Sequence, residues 1–150
     1  MTAAIPEAEG ALTIAIPSRL HFPRTRKKPF NGLRICLKDN INLQGVKTTG
    51  ASRSYSETYP PVKASAPVVQ WLVSLGAIIV GKTVLSQFAS TGAPTGDYPE
   101  FLCGFNARGD RYRTPGGSSS GSGAAIGSYP WLDLALGTDS KFLADAVNIT

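Results

Sequence analysis

Four consecutive apolar residues, Ala77-Ile78-Ile79-Val80, stand directly behind Gly76 with no polar residue among them. A strand with one face in water alternates apolar and polar side chains, so an unbroken run rich in β-branched residues demands cover on both faces. Parallel sheets meet that demand with crossover helices. The preceding residues carry the pattern of such a helix: Val68, Val69, Leu72, Val73 and Leu75 recur at roughly helical spacing. Ser65 is a candidate N-cap, Pro67 fits the first turn and Gly76 stops the helix. Further upstream, Leu33, Ile35 and Leu37 alternate with Arg34 and Cys36 in a β-prone run that opens at Gly32 and ends at Lys38, ahead of the turn-forming Asp39-Asn40. Another short helix is expected after Thr83. Strand, helix, strand, helix is the order of an α/β fold with a central sheet and right-handed crossovers.

The remaining segments are punctuated by turn formers. Residues 1–30 hold no sustained period and are interrupted by Pro6, Gly10, Pro17, Pro23 and Pro29, so they are expected to form a loosely structured leader. Gly45, Gly50 and Pro60-Pro61 mark a loop between the first strand and the first helix, and the segment from Gly92 to Pro115 reads as a long loop. Residues 116–123, Gly-Gly-Ser-Ser-Ser-Gly-Ser-Gly, lead into the small residues Ala124-Ala125-Ile126-Gly127, which predicts a Gly/Ser loop feeding a short helix.

Composition narrows the functional classes. The 150 residues suffice for one modest domain, which on folding buries about 70% of the surface its unfolded chain exposes. No apolar run approaches the roughly 20 residues that span a bilayer, and the first residues lack the basic stretch of a secretory signal. The chain is therefore expected to be soluble and cytoplasmic, with no membrane span. Its net charge of +5 comes partly from Arg19, Arg24, Arg26, Lys27 and Lys28. Neither a stacking platform nor a recognition-helix pattern accompanies that cluster, so no nucleic-acid partner is expected. Cys36 and Cys103 lack the spacing of a zinc site and are expected to be reduced thiols, Cys36 as a small buried hydrophobe. His21 is the only histidine and lies in an irregular segment, an unpromising place for the base of a Ser-His-Asp triad.

Three readings compete for the Gly/Ser stretch. A flexible linker would need a second domain beyond it, and only 27 residues follow Gly123. A phosphate cradle suits glycines and hydroxyls before a helix, yet the P-loop lysine is missing. A serine loop working with a lysine is the third, because glycine lets a substrate approach closely and hydroxyls both donate and accept. Composition leaves all three open.

Four blocks carry a resemblance. Gly32-Leu33-Arg34-Ile35-Cys36-Leu37-Lys38-Asp39-Asn40-Ile41, then Gly76-Ala77-Ile78-Ile79-Val80-Gly81-Lys82-Thr83, then Pro115 to Ala125 and finally Leu136-Gly137-Thr138-Asp139 resemble, in order and approximate spacing, the blocks of the amidase signature family of serine hydrolases. That resemblance implies an α/β fold with a partial mixed sheet flanked by helices, a fragment of the amidase signature fold. It also implies hydrolysis of a carboxamide, a small-molecule amide, through a Ser-Ser-Lys triad. No cofactor is expected. Residue by residue, the family's lysine falls on Lys38 and its bridging serine on Ser118, with the Gly117–Ser118 bond implied to be cis. The lysine must act as a neutral base, which burial favours by lowering its pKa. Lys82 matches a structural block and receives no catalytic role. Ser119 is expected to join the hydrogen-bond network, and Ser120 and Ser122 to be loop or helix-cap residues.

The resemblance ends after Asp139. Where the family continues through a glycine pair to its nucleophilic serine, this chain reads Ser140-Lys141-Phe142-Leu143, with Leu143 at the nucleophile's register and Ser140 three positions early. The expected organisation is a leader over 1–30, the N-terminal part of an amidase domain over 31–139 and a divergent tail over 140–150. The chain is read as truncated before its nucleophile and inactive. The alternative reading is a non-catalytic fragment that binds a full-length homologue through its sheet edge.

Overall fold

A computed structural model of the chain describes residues 4–6, 12–90, 98–102, 104–110 and 112–139. Its elements in chain order are β1 (Ala4–Pro6), β2 (Leu12–Ile14), β3 (Arg34–Lys38), α1 (Arg53–Thr58), α2 (Pro67–Ser74), β4 (Ile78–Thr83), a 3-10 turn (Gln87–Ala89), α3 (Ser120–Ser128) and β5 (Leu134–Leu136). Ahead of the central sheet, β1 and β2 pair antiparallel. The central sheet has the order β4-β3-β5, with β3 parallel to both neighbours. This is the α/β arrangement expected.

The middle strand is buried on both faces, from Ile35 through Lys38. Ile35 and Leu37 point to one face, where Val69 and Leu72 of α2 pack on them together with Ile41 and Ile79. Cys36 points to the other, against Val80 and Leu132, with Ala125 of α3 and Trp131 alongside. Each fully buried aliphatic side chain in such a core contributes about 1.5–3 kcal/mol. Lys38, in alternation, falls on the α3 face. Across the β3–β4 pair the register shifts between Ile35 and Cys36, so that Lys38 is opposite Thr83 and Leu37 is opposite Lys82.

Helix α2 matches its expected course, but Ser65 does not cap it. The N-cap is Ala66, without a side-chain bond, because the Ser65 hydroxyl instead accepts from the Gln44 N–H at 2.9 Å. Gly76 terminates the helix with φ +97°, and a Cβ there would stand 2.9 Å from Asn31 Cα. Three expectations are corrected. The segment read as loop after Gly50 contains α1, capped by Ser52; α1 buries none of its residues, so no apolar period announces it. Where a short helix was expected after Thr83, the described residues hold a 3-10 turn, in which Phe88 takes a left-handed backbone. Helix α3 begins at Ser120, four residues before the small-residue run, because packing on Val84 overrides the low helix propensity of Gly121 and Gly123. A Cβ at Gly121 would meet Val84 N and O at 2.5 Å, which is how closely the helix backbone approaches β4's continuation. Among the described residues no helix is long and apolar enough to cross a membrane.

Candidate active site

The C-terminal ends of parallel strands are where open α/β sheets gather ligands, and here three segments meet at that end. Lys38 closes β3, the Gly/Ser loop precedes α3, and Gly137-Thr138-Asp139 follows β5. Lys38 has no solvent exposure. Its Nζ donates to Ser118 Oγ at 2.6 Å and to the Thr138 carbonyl at 2.8 Å. The structure therefore brings together the two residues singled out in the sequence. The Gly117–Ser118 peptide is cis, and Gly116 before it has φ +87°, a conformation that favours glycine. The Ser118 carbonyl accepts from the Ser86 N–H at 3.2 Å.

Ser119 joins the network as expected. Its hydroxyl donates to the Thr138 carbonyl at 3.0 Å and accepts from the Thr138 N–H at 3.3 Å. A Cβ at Gly137 would lie 2.9 Å from Ser119 Oγ, so a bare backbone is what lets the two loops close on each other. Asn40 and Thr138 side chains bond at 3.0 Å. Around these groups lies a cavity of about 350 Å³ lined by Gly117, Ser118, Ser119, Gly137, Thr138 and Asp139. A larger one, about 760 Å³, lies away from Lys38 and Ser118, between α3 and the Val80–Val84 segment.

Burial pulls the Lys38 ammonium below its ordinary 10.5, and the Asp139 carboxylate opposes that shift in part. A lysine so placed releases its proton more readily and can then take one from the adjoining serine hydroxyl. Burial pushes the Cys36 thiol up to about 11, consistent with an inert core residue.

The other sequence candidates lie elsewhere. Lys82 is on the opposite face of the sheet, 3.7 Å from Asp39 Oδ1. Ser120 and Ser122 do not cap α3: Ser120 Oγ accepts from the Tyr98 hydroxyl, and Ser122 Oγ donates to the Leu136 carbonyl at 2.9 Å and bonds Thr83 Oγ1 at 2.8 Å. Their neighbours offered better partners than the helix's own first turn. His21 is exposed. Arg19 of the basic cluster pairs with Asp133 at 2.8 Å, while Arg24, Arg26, Lys27 and Lys28 are exposed. Cys103, Ser140, Lys141, Phe142 and Leu143 lie outside the described residues. Among the described residues no group of three His, Cys, Asp or Glu side chains could hold a metal ion. Two contributors escaped sequence reading: the Thr138 carbonyl, since a backbone acceptor leaves no side-chain signature, and Asp39, which reads as turn chemistry.

A family model described as Amidase matches residues 4–140. A glutamyl-tRNA(Gln) amidotransferase subunit of Sulfurisphaera tokodaii is 41% identical over 114 residues, covering 76% of this chain and 23% of that relative. Among solved structures, the allophanate hydrolase of Kluyveromyces lactis superimposes with a TM-score of 0.65 at 36% identity, over 77% of this chain and 18% of its own. The same glutamyl-tRNA(Gln) amidotransferase subunit from Thermotoga maritima does so with a TM-score of 0.62 at 36% identity, over 81% and 26%.

Proposed function

Because the chain belongs to the amidase family, we propose that it carries the lysine and the bridging serine of a Ser-Ser-Lys relay directed at the carbonyl of a small-molecule carboxamide. The observation that carries this reading is the 2.6 Å contact between Lys38 Nζ and Ser118 Oγ with the lysine wholly buried. In the relay, neutral Lys38 takes a proton from Ser118, and Ser118 takes one from a nucleophilic serine as that serine attacks the carbonyl carbon. The amine leaves with a proton, and water then cleaves the acyl-enzyme. One relative is named as part of an amidotransferase and another as a hydrolase, which supports a reaction at an amide carbonyl. A cytoplasmic location belongs to the same proposal; the buried free thiol of Cys36 suits a reducing compartment.

No serine stands at the register where the nucleophile of this relay is expected. Leu143 occupies the register of the family's serine, and Lys141 and Phe142 replace the glycines whose N–H groups would cradle an oxyanion. Loss of a single oxyanion donor costs roughly a hundredfold to a thousandfold in turnover, and loss of the nucleophile removes the covalent step. The expected result for the purified chain is no hydrolysis of simple amides or esters above background and no labelling by a fluorophosphonate. Labelling at Ser140 would overturn the assignment.

A second reading rests on the sheet. Both outer strands, β4 and β5, pair only with β3 among the described residues, which leaves edges able to accept a strand from a full-length homologue.

A further inference from the structure

Asp39 and Lys82 take no part in the proposed relay, yet they form an ion pair buried beside it. Their side chains are each 9% exposed, with Oδ1 and Nζ 3.7 Å apart. Removing two charges from water costs several kcal/mol per ion, a cost that is offset only where the remaining lone pairs and protons also find partners. Here they do. The Asp39 carboxylate accepts from the Thr49 N–H at 2.9 Å and from the Gly50 N–H at 2.7 Å. Lys82 Nζ donates to the Lys47 carbonyl and to Thr48 Oγ1, both at 3.0 Å. Residues 47–50 are thus gripped from both members of the pair.

The grip extends to both sides of the Lys38–Ser118 contact. Asp39 follows Lys38 in the chain, and its own N–H donates to the Thr83 carbonyl at 2.9 Å. From the gripped loop, the Gly50 carbonyl accepts from the Phe88 N–H at 2.8 Å. Two residues before Phe88, the Ser86 N–H donates to the Ser118 carbonyl. A path of hydrogen bonds therefore starts one residue from Lys38 and ends on the Ser118 peptide. On it Phe88, and beside it Ala51 and Ala89, hold left-handed backbones with φ of 50°, 56° and 57°, which non-glycine residues adopt only where the surroundings enforce them. A Cβ at Gly50 would lie 3.0 Å from the Phe88 ring, so the gripped loop and the 3-10 turn are also in direct contact.

We propose that the Asp39–Lys82 ion pair is a positioning device: through Thr49-Gly50 and the Ser86–Phe88 segment it sets the separation of Lys38 and Ser118. The inference rests on reading those two residues as a relay. Asp39 and Lys82 touch neither Ser118 nor the cavity beside it, and act only through the backbone that carries Lys38 and Ser118.

Electrostatics and positioning make opposite demands on one variant. Among the described residues, Asp139 is the charged group that acts on the Lys38 ammonium, and the Asp39–Lys82 pair lies across the sheet. Asp39→Asn deletes a nearby negative charge, which by Coulomb attraction alone would lower the Lys38 pKa further. Loosening the clamp instead admits water to the ammonium and raises it. With lysine labelled at Cε by carbon-13 and titrated by NMR, the expected result is an upward shift of the Lys38 midpoint in Asp39→Asn and in Lys82→Met, with Lys82→Arg near wild type. A midpoint in Asp39→Asn that falls or stays put while the near-ultraviolet circular dichroism remains native overturns the proposal. Loss of the native spectrum in both Asp39→Asn and Lys82→Met overturns it as well, since the pair would then hold the whole fold. A wild-type Lys38 already titrating at 10.5 is a different failure, that of the relay reading itself, and removes what the clamp would position.

Discussion

Lys38 lies at the end of an apolar strand with its ammonium out of water, and that placement has a thermodynamic consequence. Its folded pKa is below the ordinary 10.5 because burial disfavours the charged form. Between the folded and the unfolded pKa the unfolded chain therefore binds more protons, so stability rises with pH across that window. Below the window both states are protonated and the full penalty of burying the cation is present. Lys82 is lowered in the same direction, so a single-site comparison is needed. Thermal unfolding followed by circular dichroism should show the melting temperature of wild type rising as pH climbs toward 10.5, and a shallower rise in Lys38→Met. Equal slopes would mean that Lys38 is protonated alike in both states. At this scale the sequence offered Lys38 and Ser118 only by resemblance, since a strand-end lysine and a loop serine are ordinary in isolation. The Thr138 carbonyl and the Asp39 clamp were hidden because hydrogen bonds to backbone leave no pattern in side-chain identity.

Among the elements, legibility followed burial. Strands β3 and β4 and helix α2 were readable because each commits an apolar stripe or run to the core, with Val69 and Leu72 the buried pair of α2. Helix α1 buries nothing, and the 3-10 turn depends on left-handed residues that no propensity foretells. Helix α3 is the informative case, for its glycines look like loop and are instead contact. At Gly121 a Cβ would strike the backbone of Val84 at 2.5 Å, whereas at Gly127 the nearest atom is Ala107 Cβ at an ordinary 3.8 Å. Gly121→Ala should destabilise the chain by about 1–3 kcal/mol through overpacking. Gly127→Ala should be neutral or stabilise it by up to about 1 kcal/mol, the helix-propensity difference. Urea unfolding measures both, and equal effects would contradict the close approach of α3 to β4's continuation.

Taken whole, the described residues form two thin cores on either side of three strands, with large side chains still in water. Trp71 is 57% exposed and Leu134 on β5 is 47% exposed, and among the described residues β4 and β5 each pair with β3 alone. In the relatives the matching segment is 18–26% of a longer chain. The sheet-edge reading expects the chain to co-purify with a full-length homologue when both are expressed together; two proteins that elute independently would count against it. Within that frame we propose that the chain holds the lysine–serine half of an amidase relay, folded and deprotonatable. The direct measurement is the titration midpoint of Lys38 in the intact chain, read by lysine-selective carbon-13 NMR and assigned with Lys38→Arg. A midpoint below 10.5 is expected, and one at or above 10.5 would contradict the claim.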